Sequence, residues 1–278
     1  MGKYNDLDLT NWQKYDSIST DSLWIIKERY AKNGHTGSFH GNFVPQIPNQ
    51  FLKRYTKSGD WIFDPFLGSG TTLIESRRLN RNGIGFEINP QTANLARKNL
   101  NNAKKFLAPE NTSKTIIENV DSTTSNYREI LLKHGISCVQ FALLHPPYWD
   151  IIKFGDENNN LSNCENIEVF LDAFGKIIKS TYEILEPKRF MAIVIGDKYQ
   201  NSEWIPLGFY CMQKAQECNF KLKSIIVKNF DETKGKANQK ALWRYRALSN
   251  GFYLFKHEYI FLFQKNKLES HIHSSNNT

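Results

Sequence analysis

A chain of 278 residues can bury one substantial core, and its ordinary 40% apolar share includes no run long enough to span a membrane. Its 36 basic against 28 acidic side chains leave a formal charge of +8, which is weak support for a polyanionic partner. The first residues carry no apolar stretch of the signal type, so a cytoplasmic location is expected. Cys138, Cys164, Cys211 and Cys218 form no Cys-x-x-Cys pair, which favours reduced thiols over a metal site.

Residues 1–38 read as a covering segment that lays Trp12, Tyr15, Trp24 and Tyr30 on the core, a part in DNA contact being the alternative. A helix is predicted there from Asp21 to Tyr30, capped by Thr20 or Asp21. The run Phe39 to Pro48, with prolines at 45 and 48, reads as a fixed loop that passes into a helix ending near Tyr55. From Trp61 onward, strands and helices alternate as a doubly wound parallel sheet requires. Strand Trp61–Phe63 precedes helix Thr71–Leu79, and strand Gly83–Phe86 precedes helix Pro90–Phe106. Strand Thr115–Asn119, helix Asn126–Lys133 and the almost fully apolar strand Val139–Leu144 follow, the last suited to the sheet's centre. Beyond a polar loop over 155–163 come helix Ile167–Leu185, strand Phe190–Ile195, helix Ile205–Glu217 and strands Leu222–Val227 and Glu258–Phe263. The expectation is one domain over 1–266, an insertion at 228–256, and a disordered tail at 267–278.

Chemistry concentrates at two strand ends. Asp64-Pro65-Phe66-Leu67-Gly68-Ser69-Gly70-Thr71-Thr72 joins a strand to a helix through glycines that let backbone N–H groups approach a ligand. About fifteen residues on, Gly83-Ile84-Gly85-Phe86-Glu87 ends in an acid at the spacing that suits two ribose hydroxyls. No lysine follows the glycines, which disfavours a nucleoside triphosphate, and Leu73 stands where a nicotinamide-binding turn has its third glycine. A nucleoside ligand is the better reading. The second site is His145-Pro146-Pro147-Tyr148-Trp149-Asp150, where two prolines fix the backbone at the sheet edge that holds ligands.

The stretch from Phe39 to Gln264 resembles the DNA amino-methyltransferases, which methylate exocyclic N6 of adenine or N4 of cytosine. The resemblance implies a Rossmann-like methyltransferase fold of class α/β, with a mostly parallel doubly wound sheet and an antiparallel C-terminal strand. It implies S-adenosyl-L-methionine as cofactor, held by Phe43 and Pro45 together with Asp64, Phe66, Gly68, Gly70, Thr71, Thr72, Glu87 and Asp121. His145, Pro146, Pro147 and Tyr148 fall where the family has Asp, Asn or Ser before Pro-Pro and an aromatic. Histidine at that position departs from the pattern. A neutral imidazole offers one acceptor and a protonated one none, so at an ordinary pKa activity would fall below about pH 6.5.

The resemblance makes double-stranded DNA the substrate, with a separately acting cognate restriction endonuclease as partner. Lys228 to Lys256 interleaves basic and aromatic residues and reads as the DNA-facing segment. In it Lys234 and Lys240 are expected on phosphates, and Trp243, Arg244 and Arg246 at base edges or in the gap left by a flipped base. None of the cysteines follows a proline, so the covalent route of C5-cytosine methylation is not expected. A relative that acts on RNA, or that binds nucleic acid without catalysis because of His145, stays open at this stage.

Overall fold

The alternation predicted from Trp61 is present in a computed structural model, which describes residues 4–35, 37, 39, 41–157, 159–230 and 240–266. Lys234 and the tail at 267–278 lie outside the described residues, as does the side chain of Lys240. The first long segment departs from its prediction. Where a helix from Asp21 was expected, Leu23–Trp24 is a short strand, β1, lying parallel to a strand near the C-terminus. Pairing wins over helical periodicity because Trp24 is then buried against Phe51, with ring centroids 5.6 Å apart. A 3₁₀ turn at Leu9–Tyr15, capped by Asp8, precedes it.

Helix α1 (Gln46–Tyr55) leads to β2 (Trp61–Asp64), α2 (Thr71–Arg78), β3 (Asn82–Phe86) and α3 (Pro90–Ala103). Next come β4 (Thr115–Glu118), α4 (Tyr127–Lys133), β5 (Val139–Leu144), α5 (Ile167–Ile184) and β6 (Leu185–Ile195). A hairpin of β7 (Lys198–Gln200) and β8 (Glu203–Ile205) then enters α6 (Leu207–Glu217). The chain closes with β9 (Phe220–Asn229), α7 (Lys240–Asn250) and β10 (His257–Lys265).

The large sheet has the order β1-β9-β10-β6-β5-β2-β3-β4, and only β10 runs against its neighbours. Two helical layers cover it. α1 buries Ile47, Phe51, Leu52 and Tyr55 on one face, while Phe170, Phe174, Ile177 and Ile178 of α5 pack on the other. Each such side chain contributes about 1.5–3 kcal/mol by burial, so the sheet edge that carries the chemistry rests on a stiff core. The C-terminal ends of the parallel strands share that edge, and antiparallel β10 brings its first residues there: Glu258 pairs with Lys228 and Tyr259 with Ile195.

Candidate active site

The glycine turn after β2 is a backbone cradle. Asp64 accepts the Phe66 N–H at 2.9 Å and starts the turn; burial lifts its carboxyl to about 6. Gly68 sits at φ +53° and donates its N–H to Glu87 Oε2 at 2.9 Å, while the Asn89 N–H reaches Glu87 Oε1 at 3.0 Å. Each carboxylate oxygen holds one backbone donor and keeps a lone pair for a ligand hydroxyl. Burial pushes the Glu87 carboxyl up to about 7. Beside it, the Asp121 carboxylate accepts from Thr123 N and Oγ1 at 2.7 Å and from Asn159 Nδ2 at 2.8 Å.

The loop before α1 is anchored to this turn. Asn42 accepts from the Thr71 hydroxyl at 2.6 Å and donates to Ser69 Oγ at 2.9 Å. Arg29 donates to the carbonyls of Asn42 and Phe43, each at 3.0 Å. That places the Phe43 ring edge-on to the His145 imidazole, with centroids 4.9 Å apart.

His145 follows directly on β5. Burial lowers its imidazole to about 4, so the ring is neutral across the physiological range. Its Nε2 lies 3.4 Å from the Tyr148 hydroxyl, which donates to Glu258 Oε2 at 2.7 Å. The Tyr148 ring lies against Gly196, where an added Cβ would stand 2.8 Å from it. Only glycine leaves that room.

These groups face one cavity of about 1200 Å³. Of the residues expected there, Phe43, Phe66, Gly68, Glu87, Asp121, His145, Pro146, Pro147, Tyr148, Trp243 and Arg246 line it. Among the described residues, the others expected there do not. Pro45 is buried at the N-cap of α1, and Gly70, at φ +93°, seats the start of α2 against Ala96 of α3. Asp64, Thr71 and Thr72 are buried and shape the turn from behind. Arg244 and Arg246 are both exposed on α7, but only Arg246 lines the cavity, 5.1 Å from the Trp243 ring. Trp149 does not extend the stacking surface of Tyr148. At φ +53° its ring turns inward, donating to the Cys164 carbonyl at 2.8 Å beneath the Lys198 ammonium.

Several contributors escaped the sequence reading: Arg29, Asn42, Asn159 and Glu258. Lys228, expected with the DNA-facing segment, is instead buried and paired with Glu258 at 3.0 Å, because strand pairing of β9 with β10 sets the two side chains opposite each other. From the polar loop expected at 155–163, Glu157 accepts from Asn89 Nδ2 at 2.8 Å and Asn159 donates to Asp121 at 2.8 Å. The helix α7 was also unforeseen within the insertion. Among the described residues no cluster of His, Cys, Asp and Glu could hold a metal ion, and no helix is long and apolar enough to cross a membrane.

A strand-end cradle for a nucleoside beside a His-Pro-Pro-Tyr tip defines an amino-methyltransferase type of site. The profile of the N6/N4 methyltransferase family, described as DNA methylase, matches residues 3–98 and 139–277, and the chain belongs to that family. It is 44% identical over 76 residues to the Type II methyltransferase M.MjaII of Methanocaldococcus jannaschii, covering 26% of this chain and 14% of that protein. It is 42% identical over 97 residues to the Type II methyltransferase M2.DpnII of Streptococcus pneumoniae, covering 34% of this chain and 33% of that one. The chain thus spans a third or less of these relatives' lengths. Among solved structures, the (4+2)-cyclase SpnF superposes with a TM-score of 0.51 at 12% identity, covering 82% of this chain and 86% of that one. That likeness concerns the fold alone: a Rossmann-like sheet.

Membership of the family makes S-adenosylmethionine the cofactor, and the donor set fits it. Glu87 has free lone pairs for a ribose diol, and Phe66 and Ile88 supply apolar walls. Asp121 already accepts four bonds, so an adenine amine would have to replace Thr124 Oγ1 or Asn159 Nδ2 on Oδ2.

Proposed function

We propose that the chain transfers a methyl group from S-adenosylmethionine to an exocyclic amino group in double-stranded DNA, at N4 of cytosine ahead of N6 of adenine. The reaction is specific to a short sequence and serves as the modification half of a restriction–modification system. One observation carries this reading: a single cavity holds the nucleoside cradle of Gly68, Glu87 and Asp121 together with His145, Tyr148, Trp243 and Arg246. The Type II methyltransferases among its relatives support the restriction–modification role.

When bound, S-adenosylmethionine supplies an electrophilic methyl on a sulfonium; the chain supplies the geometry. An exocyclic amine is a poor nucleophile because its lone pair is delocalised into the ring. Hydrogen bonds accepted by the neutral His145 imidazole and the Pro146 carbonyl draw the nitrogen toward sp³ and aim its lone pair. Tyr148 stacks on the base, which must leave the duplex to reach it. Trp243 and Arg246, across the cavity, fill the vacated space or read neighbouring base edges. Cytosine is placed first because a non-carboxylate at the His145 position resembles the cytosine side of the family.

The test is mass spectrometry of DNA digested after incubation with the protein and labelled S-adenosylmethionine. N4-methylcytosine is the expected product. N6-methyladenine would keep the class and change the base, whereas no methyl in DNA despite cofactor binding would overturn the reading.

A further inference from the structure

His145 ends a chain of four side chains. Lys228 Nζ donates to Glu258 Oε1 at 3.0 Å, the Tyr148 hydroxyl donates to Glu258 Oε2 at 2.7 Å, and His145 Nε2 lies 3.4 Å from that hydroxyl. Strand register brings the far end together, since Lys228 and Glu258 face each other across β9 and β10. Both are at most 10% exposed. Gly196, at the end of β6, leaves the Tyr148 ring room to reach them.

The polarity of this chain has a consequence at its other end. A carboxylate facing an ammonium offers acceptors only, so the single Tyr148 proton points at Glu258. The phenol oxygen then turns lone pairs toward His145, and only an Nε2–H is attracted to them. Its two acceptor positions leave room for the Gly196 backbone amide as well. A neutral imidazole carries one proton. With that proton on Nε2, Nδ1 is an acceptor, and among the described residues it has no hydrogen-bond partner, although His145 lines the cavity.

We propose that Lys228, Glu258 and Tyr148 are positioning residues that hold His145 in its Nε2–H tautomer, leaving Nδ1 to accept the target amino group. The last step rests on the function proposed above; the tautomer does not. The arrangement also accounts for a histidine where an amide or carboxylate is usual: the relay gives an ambiguous ring a defined acceptor. Burial, which keeps the ring neutral, removes the doubly protonated form from competition.

Proton–nitrogen correlation spectra of the 278-residue chain, labelled at its histidines, test this at neutral pH. The His145 signals are assigned by their loss in His145→Asn. The expected spectrum shows one tautomer with the proton on Nε2, and a proton on Nδ1 would overturn the proposal. In Tyr148→Phe both tautomers should appear, and single-turnover methylation should fall by about tenfold at unchanged cofactor affinity. Retention of the single Nε2–H form in that variant would equally overturn it. The spectrum needs neither DNA nor methyl donor. A wild-type protein with the expected tautomer but no methyl transfer would therefore count against the functional reading and leave the relay standing.

Discussion

The two halves of the cavity are built in opposite ways. The cofactor half comes mainly from one continuous run, Asp64 to Asn89, and its key contacts are backbone N–H groups turned toward a carboxylate. The target half joins His145 and Tyr148 to Glu258, 110 residues from Tyr148, with Trp243 and Arg246 added from α7. The first half works through the conformation of a turn and the second through side chains that meet only in the folded sheet. Loss of a contact should therefore weaken affinity in one half and slow chemistry in the other.

The largest effect is expected at His145. His145→Ala should slow single-turnover methylation by about 10²-fold, because the amine loses the group that orients its lone pair. A rate within a few-fold of wild type would reduce the imidazole to packing against Phe43. Glu87→Ala comes next, with cofactor binding weakened by about 1–3 kcal/mol through loss of charge-assisted hydrogen bonds. Titration calorimetry reads this directly, and unchanged affinity would remove Glu87 from the cradle.

The pH dependence should divide the halves again. Burial places the Glu87 carboxyl near 7, and under the proposed function only its ionised form would accept from both ribose hydroxyls. Affinity for S-adenosylmethionine should thus fall about tenfold from pH 8 to pH 6, and Glu87→Gln should flatten the profile. His145, held near 4, gives no loss over that range, so the rate at saturating cofactor should stay level. This moves the acid limb expected from an ordinary histidine to lower pH. A rate that falls below about 6.5 at saturation would restore the ordinary value for the ring.

Smaller effects separate two neighbouring arginines. Arg246 faces the cavity beside Trp243, and Arg246→Ala should reduce the preference for the cognate duplex by about tenfold. Arg244, exposed like Arg246, does not line the cavity, and Arg244→Ala should weaken cognate and scrambled duplexes alike by about two- to threefold, with a shallower salt dependence. Binding titrations at two salt concentrations distinguish them, and equal losses for both variants on both duplexes would move specificity elsewhere.

The contrast between the halves also marks what was legible in the sequence. Gly68 and Glu87 were readable because a strand, a glycine turn and an acid at fixed spacing are local signals. The central strand Val139–Leu144 emerged at its predicted bounds for the same reason. Glu258 was not readable, since its role depends on β10 running antiparallel and delivering its first residues to the ligand edge. The segment from Asp21 has a helical pattern, yet pairing of Leu23 with Val227 and burial of Trp24 decide its conformation. Trp149 follows Tyr148 directly in the sequence, yet a positive φ sends its ring inward to the Cys164 carbonyl. Long-range register and backbone sign are the two things that motifs do not carry.

The division of labour is tested most directly by single-turnover rates of Glu87→Ala and His145→Ala measured against rising S-adenosylmethionine. Glu87→Ala should recover to within about twofold of the wild-type rate at saturation, while His145→Ala should remain about 10²-fold slow at every concentration. Recovery of His145→Ala by added cofactor, or a Glu87→Ala rate that stays low at saturation, would contradict the account.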